Sequence, residues 1–180
     1  MQQTSRRWLL RNATASLHEV VDNAVGTFTT LDEYRRYLPA QFRFRQSIEQ
    51  HLLAQAWPGY VRSWRPVLIA SEIAADMHDL GLAPAAHMPV ALSSDADALM
   101  GIAYVLEGSG LGARVLYKRA QALGLTANYG ARHLAVQAAS PDSWRDFLAL
   151  LEDAEPLDME RVAQASMMTF RHAESAFKGE

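Results

Sequence analysis

The 180-residue sequence contains no cysteine, and that single absence removes disulfides, thiolate metal sites and cysteine nucleophiles together. Nor does one sign of charge dominate: 17 basic residues face 20 acidic ones, too balanced a distribution to supply the basic field that nucleic acid requires. No unbroken apolar run of membrane-spanning length is apparent. The opening "MQQTSRRWLLRNATASLHEVV" has arginines but neither the apolar core nor the small-residue cleavage site of a signal peptide. The expectation is a cytoplasmic protein with no nucleic-acid or membrane partner. Convincing strand alternation, internal repeats, low-complexity tracts and interdomain linkers are also missing. None of the six histidines stands in an HxxxH or ExxH pattern, so the histidine pair of a zinc protease and the Glu-x-x-His of a di-iron bundle are both lacking. What is present is 49% hydrophobic residues, enough for one domain over 1–180 with a sizeable core.

The apolar spacing is helical almost throughout and predicts an all-α bundle of about six to eight helices. Leu10, Leu17, Val21 and Ala24 form the stripe of a first helix over 4–23, starting at Thr4. Thr30 followed by Glu33 is a capping-box pattern opening a second helix through residues 31–55, kinked at Pro39. A third covers 65–80, with Pro66 in its first turn and Gly81 as its stop. Ser94 and Asp97 can cap a fourth that continues to residue 123 before Gly124 ends it. Ser140-Pro141 suits the start of a fifth helix to 153, and Asp158 starts a sixth reaching 177. The stretch "GLAPAAHMPVALSS" reads as a loop.

Inside the fourth helix lies "LEGSGLGARVL", with glycine at 108, 110 and 112. A dinucleotide fingerprint needs a preceding strand and a βαβ unit, whereas "SSDADALMGIAYV" before Gly108 is helical. Each glycine in a helix costs roughly 0.8–1 kcal/mol relative to alanine, so the cluster calls for a compensating use. Gly101, Gly108 and Gly112 share nearly one face. A bare face accommodates either a neighbouring helix packed close or a flat ligand lying against the backbone. Gly110 points roughly 200° away from Gly108.

A second feature is "LHEVVD". His18 and Asp22 are four apart on one helical face, where a carboxylate can accept a hydrogen bond from one ring nitrogen and leave the other for a metal. One histidine holds a bare metal poorly but can hold a metal already carried in a macrocycle. The remaining histidines, His51, His78, His87, His133 and His172, lack organised partners in the sequence. Tyr34, Tyr37, Phe42 and Phe44, interleaved with Arg35, Arg36, Arg43 and Arg45, read as core and solvated face at helical spacing. Arg114 and Lys118 form a basic i,i+4 pair.

The segments "RNATASLHEVVDNAV", "YVLEGSGLGARVL" and "ERVAQASMMTFRHAESAF", in this order across nearly the whole chain, resemble the haem oxygenase family, most closely its bacteriophytochrome-associated bacterial branch. The resemblance implies His18 as the proximal ligand of haem iron, Asp22 as its acidic partner, and Gly108 and Gly112 as the flexible glycines of the distal helix. It implies Arg11 at a haem propionate and Tyr104 and Arg145 on the propionate side; Met167, Met168 and Phe170 on the last helix suit either a pocket wall, where Phe170 would meet haem, or core packing. Ser109 stands where many members have an aspartate. Haem would be both cofactor and substrate. Molecular oxygen and electrons from an external reductase or ferredoxin-type donor complete the reaction, which yields biliverdin, of the IXα isomer by the family's usual outcome, with iron and carbon monoxide. The bilin would supply a bacteriophytochrome. Two other readings keep the fold: a non-catalytic haem-binding or haem-transfer protein, and a thiaminase-like or cofactor-biosynthesis bundle, whose thiaminase version the lack of cysteine disfavours.

Overall fold

Residues 5–179 are described in the computed structural model, so the expected helix start at Thr4 lies outside the described residues. Among them are eight α-helices and no strand: α1 (Arg6–Val25), α2 (Leu31–Leu53), α3 (Ala70–Asp79), α4 (Ala96–Ser109), α5 (Ala113–Ala122), α6 (Arg132–Ala138), α7 (Ser143–Asp153) and α8 (Met159–Lys178). The all-α expectation holds. Its local signals hold best where a side chain caps its own helix. At α2 the Thr30 hydroxyl accepts from the Glu33 amide at 3.2 Å while the Glu33 carboxylate accepts from the Thr30 amide at 3.1 Å, and α2 continues through Pro39. Asp158 accepts from the amides of Glu160 and Arg161 at the start of α8.

Several boundaries differ from expectation, and at α3 and α6 a distant group supplies the cap. The third helix begins at Ala70 rather than at 65, since residues 65–69 are held by side chains from elsewhere. Arg45 donates to the Val67 carbonyl at 2.5 Å and Glu107 accepts the Val67 amide at 2.8 Å. Glu49 of α2 accepts the amides of Ile69 and Ala70, both at 2.9 Å, serving as the N-terminal cap that α3 lacks in its own sequence. At α4 the cap is Asp95, not Ser94; Asp97 instead accepts the Asp158 amide. The helix after it does not run unbroken: a 3-10 turn at Gly110–Gly112 separates α4 from α5. The fifth expected helix starts at Ser143 with Asp142 before it, and α6 was not expected at all.

The core lies where α8 packs against α1, α2 and α4. Leu99, Met100, Ile102 and Ala103 on α4 are fully buried with Leu10, Ile48, Phe147 and Val162, each large aliphatic contributing roughly 1.5–3 kcal/mol on removal from water. This burial accounts for the apolar character of residues 96–122, a span that by length and composition alone could cross a membrane and thus departs from the sequence reading; half of its most apolar window is buried inside the protein. At Gly101 the two helices are in backbone contact: an added Cβ would stand 2.4 Å from the Val162 carbonyl oxygen, and the Ser166 hydroxyl donates to the Gly101 carbonyl at 3.0 Å.

A second apolar cluster joins α2, α3 and α6 through Tyr34, Tyr37, Ile73 and Leu134, and a buried polar link runs through it. Asp76 accepts the amides of Arg132 and His133, the first residues of α6, and the His133 ring Nδ1 at 2.7 Å. Burial holds the His133 imidazole below its ordinary 6.5, outweighing the pull of Asp76. Because the folded form takes up its proton at lower pH than the unfolded chain does, stability is fully present above 6.5 and declines as pH falls below it. The urea midpoint is expected to drop between about pH 7 and about pH 5, and to drop less in His133→Gln. Equal slopes would remove His133 from the acid response. The groups facing the ring are Tyr37 and Arg45 from α2 and Asp76 and Glu72 from α3. A further loss follows at lower pH, where Arg132 holds the Asp79 carboxyl below its ordinary 3.8.

Candidate functional site

Helix α1 is weakly buried on one side because that side faces a cavity rather than a neighbour. Arg7, Arg11, Thr14, His18 and Asp22 recur at steps of three and four and all line a space of about 850 Å³, within the range of about 300–1,000 Å³ typical of small-molecule sites. His18 Nδ1 meets the Asp22 carboxylate at 2.9 Å, with the two side chains 56% and 68% exposed. The carboxylate can only accept, so Nδ1 carries the hydrogen, and in the neutral ring Nε2 keeps its lone pair. The Phe170 ring of α8 stands 5.6 Å from the imidazole, tilted by 57°, and so limits where the ring can turn.

Another wall is made by the glycine segment. Gly108, Ser109 and Gly112 line the large cavity, whereas Gly110 lines a separate space of about 140 Å³ behind the helix. This is the division expected from helical spacing. An added Cβ at Gly112 would meet nothing within 4 Å, and one at Gly108 would meet only Trp144, at 3.7 Å. Here no helix needs the bare backbone, in contrast to Gly101. The two uses of bare backbone left open by the sequence both occur, at different glycines: close helix packing at Gly101, open wall at Gly108 and Gly112.

The polar groups are unequal. The Ser109 hydroxyl donates to the Leu106 carbonyl at 2.6 Å and accepts from Arg45 and Gln137 at 3.5 and 3.4 Å, so its hydrogen is already engaged. Glu107 turns away from the large cavity, its carboxylate accepting from the Val67 amide and the Ser143 hydroxyl. Tyr104 lies beside Thr14, Arg7 and Arg11; burial pushes its phenol up, opposed by a hydrogen bond with Thr14 and by the two arginines.

No model of a protein family matches the chain. The chain is 34% identical over 165 residues to the haem oxygenase PigA of Pseudomonas aeruginosa, covering 86% of this chain and 81% of that protein. The chain belongs to the haem oxygenase family. Its fold superimposes on the NO- and CO-bound haem oxygenase from Neisseria meningitidis with a TM-score of 0.77 at 25% identity, over 98% of this chain and 92% of that one. The all-α fold and the enzyme class read from the sequence therefore stand.

Within this haem oxygenase the expected site residues Arg11, His18, Asp22, Tyr104, Gly108, Ser109, Gly112 and Phe170 all reach one cavity. Arg145 does not. Its side chain is 71% exposed and pairs with Asp142 and Asp146 at the start of α7, away from the residues that line the cavity. Arg145→Ala is accordingly expected to leave haem uptake unchanged and to shift stability by no more than about 0.5 kcal/mol, whereas Arg11→Ala should weaken uptake roughly tenfold or more if a charged hydrogen bond of about 1.5–3 kcal/mol is lost. Equal titrations of the two variants would place Arg145 at the haem alongside Arg11.

Two cavity residues, Arg7 and Gln41, and two interior residues, Arg45 and His133, escaped the sequence reading. Arg7 was legible, one turn before Arg11 on the same stripe. Gln41 was signalled as a polar residue on the buried stripe of α2; it is 8% exposed, lines the cavity and has no side-chain hydrogen bond among the described residues. Arg45, expected on a solvated face, is fully buried and ion-paired with Glu49 at 2.7 Å. His133, taken as lacking partners, has one on each ring nitrogen.

Proposed function

We propose that this haem oxygenase opens haem to biliverdin IXα with release of iron and carbon monoxide, and that the bilin supplies a bacteriophytochrome. The observation that carries the reading is the joining of the His18–Asp22 pair and the bare backbone at Gly108 and Gly112 in one cavity of about 850 Å³. Those residues fit a flat iron-bearing macrocycle with carboxylate substituents: one imidazole to hold the metal, bare backbone at Gly108 and Gly112, and a cationic rim. Bound there, haem supplies both the iron at which oxygen is activated and the porphyrin that is cleaved.

The chain's own residues do the positioning. His18 Nε2 would hold the haem iron, and Asp22, by accepting the Nδ1 hydrogen, fixes the tautomer and raises the basicity of the ring. Arg11, with Arg7 beside it and Tyr104 close by, would meet the haem carboxylates and so hold the orientation of the macrocycle. Phe170 packs on the imidazole side. The bare backbone at Gly108 and Gly112 would leave room for oxygen beside the haem, with Ser109 held in the same wall, and a fixed orientation of the haem is what would give a single isomer. Electrons come from a separate reductase or ferredoxin in the cytoplasm. We take residues 1–180 as one such domain.

Incubation with haem, oxygen and either ascorbate or a ferredoxin system is expected to replace the Soret band by a bilin spectrum with release of carbon monoxide. Chromatography of the product should give one isomer, IXα. A mixture of isomers would refute fixed rotation, and haem recovered unaltered under every donor, with tight His18-dependent binding, would make the protein a haem carrier.

A further inference from the structure

The end of the cavity under α2 carries a hydrogen-bond chain that the reading above does not use. Tyr37 lines the cavity but is only 6% exposed, and its hydroxyl stands 3.0 Å from His133 Nε2. His133, fully buried, stands with Nδ1 2.7 Å from Asp76. Asp76, also fully buried, faces four donors: the amides of Arg132 and His133, the Arg132 guanidinium and the imidazole.

The direction of every hydrogen in this chain follows from its anchored end. Carboxylate oxygens that face four donors accept from them, so the imidazole hydrogen sits on Nδ1. Nε2 then has only a lone pair to offer, and a neutral ring agrees with the burial that holds its pKa down. The Tyr37 hydroxyl must donate to Nε2. Any donor that reaches the Tyr37 oxygen from the cavity therefore meets its lone pairs, made more basic by the donated hydrogen bond. Nearby, Ser109 spends its hydrogen on Leu106, while the Gln41 amide has no partner among the described residues.

We propose that His133, held by Asp76, is a positioning residue that fixes Tyr37 as a hydrogen-bond acceptor toward the cavity, where it orients an ordered water for the haem reaction. This rests on the haem oxygenase reading for its purpose, but not for its geometry. Asp76 also caps α6, and a purely structural role would not require the tyrosine oxygen to act on anything.

Ring-nitrogen NMR of the haem-free protein at neutral pH tests the anchored direction: His133 is expected to show a protonated Nδ1 and an unprotonated Nε2, with the Nε2 resonance moving in Tyr37→Phe. A protonated Nε2, or an Nε2 indifferent to Tyr37→Phe, overturns the proposal whether or not haem binds. In the haem-loaded, reduced protein with carbon monoxide as probe, His133→Phe frees the Tyr37 hydroxyl to turn inward. The C–O stretch is then expected to fall by several wavenumbers, to return toward the original in His133→Gln, whose amide oxygen can accept again, and not to respond to His133 substitution in a Tyr37→Phe background. A folded His133→Phe with an unmoved stretch, or a shift that persists without Tyr37, overturns the proposal. Should His133→Phe not fold, the nitrogen resonances and the His133→Gln comparison decide alone. Failure to take up haem at all would instead refute the function proposed above, leaving the nitrogen test standing.

Discussion

His18→Ala is expected to abolish the Soret spectrum of a histidine-ligated haem and to weaken haem uptake by at least about 100-fold, since removal even of outer-shell partners costs about 10–100-fold. The fold should survive intact. His18 is more than half exposed toward the cavity and makes no hydrogen bond except to Asp22, so its loss falls among surface substitutions worth about 0.5 kcal/mol or less. Helical circular dichroism and the melting temperature separate the two effects. Asp22→Ala should sit between wild type and His18→Ala: haem is retained, with a less basic imidazole, an affinity lower by about 10–100-fold and a lower iron–histidine stretching frequency. A Soret band unchanged in His18→Ala would remove the residue from the site, and an unchanged stretch in Asp22→Ala would reduce that carboxylate to a surface charge.

The opposite pattern, lost stability with an unaltered cavity lining, is expected of Gly101→Ala. The new Cβ would meet the Val162 carbonyl oxygen at 2.4 Å, the Ala165 Cβ at 2.8 Å and the Ser166 amide at 3.0 Å. None of these can rotate away. Overpacking of about 3 kcal/mol, less about 1 kcal/mol gained in helix propensity, leaves roughly 2 kcal/mol of destabilisation, or a melting temperature lower by about 4–8 °C for a chain of this size. Separation of α4 from α8 would also stretch the hydrogen bond from Ser166 to the Gly101 carbonyl. Gly112→Ala, with open space at its Cβ, should melt at or slightly above wild type, by up to about 1 kcal/mol. Gly112→Leu should keep the fold and lose haem binding or turnover, because its side chain enters the cavity. If Gly101→Ala melts with wild type, or if Gly112→Leu binds haem normally, the division of the glycines into packing and cavity positions is wrong.

The difference between those two glycines illustrates how far the sequence could be read. Gly101, Gly108 and Gly112 share a helical face, and that much is periodic and local. Which of them meets a helix depends on where α8 crosses α4, and nothing in residues 96–112 encodes the position of Val162 or Ser166. Elements capped by their own neighbours, such as α2 by Thr30 and Glu33 or α8 by Asp158, were legible for the same reason that α3 and α6 were not. Those two are capped by Glu49 and Asp76, which lie 20 or more residues away.

The site divides along the same line. His18, Asp22, Arg11 and the glycine segment could be found in the sequence, because each is a local pattern on one helix and together they match a family in order. Arg145 fits such an alignment but is turned outward by the ion pairs of α7. The interior polar groups went the other way. Arg45 looked like one more arginine on a solvated face, and His133 like a histidine without partners. What the sequence determined by itself was the helical content, the caps that close within four residues and the residues that mark the haem oxygenase family, all set by short-range periodicity and chemistry. Only the tertiary structure decided which glycine packs and which stays open, which arginine is buried, and that Asp76, His133 and Tyr37 form one chain. Burial and hydrogen-bond direction depend on groups that meet only after α2, α3 and α6 have come together.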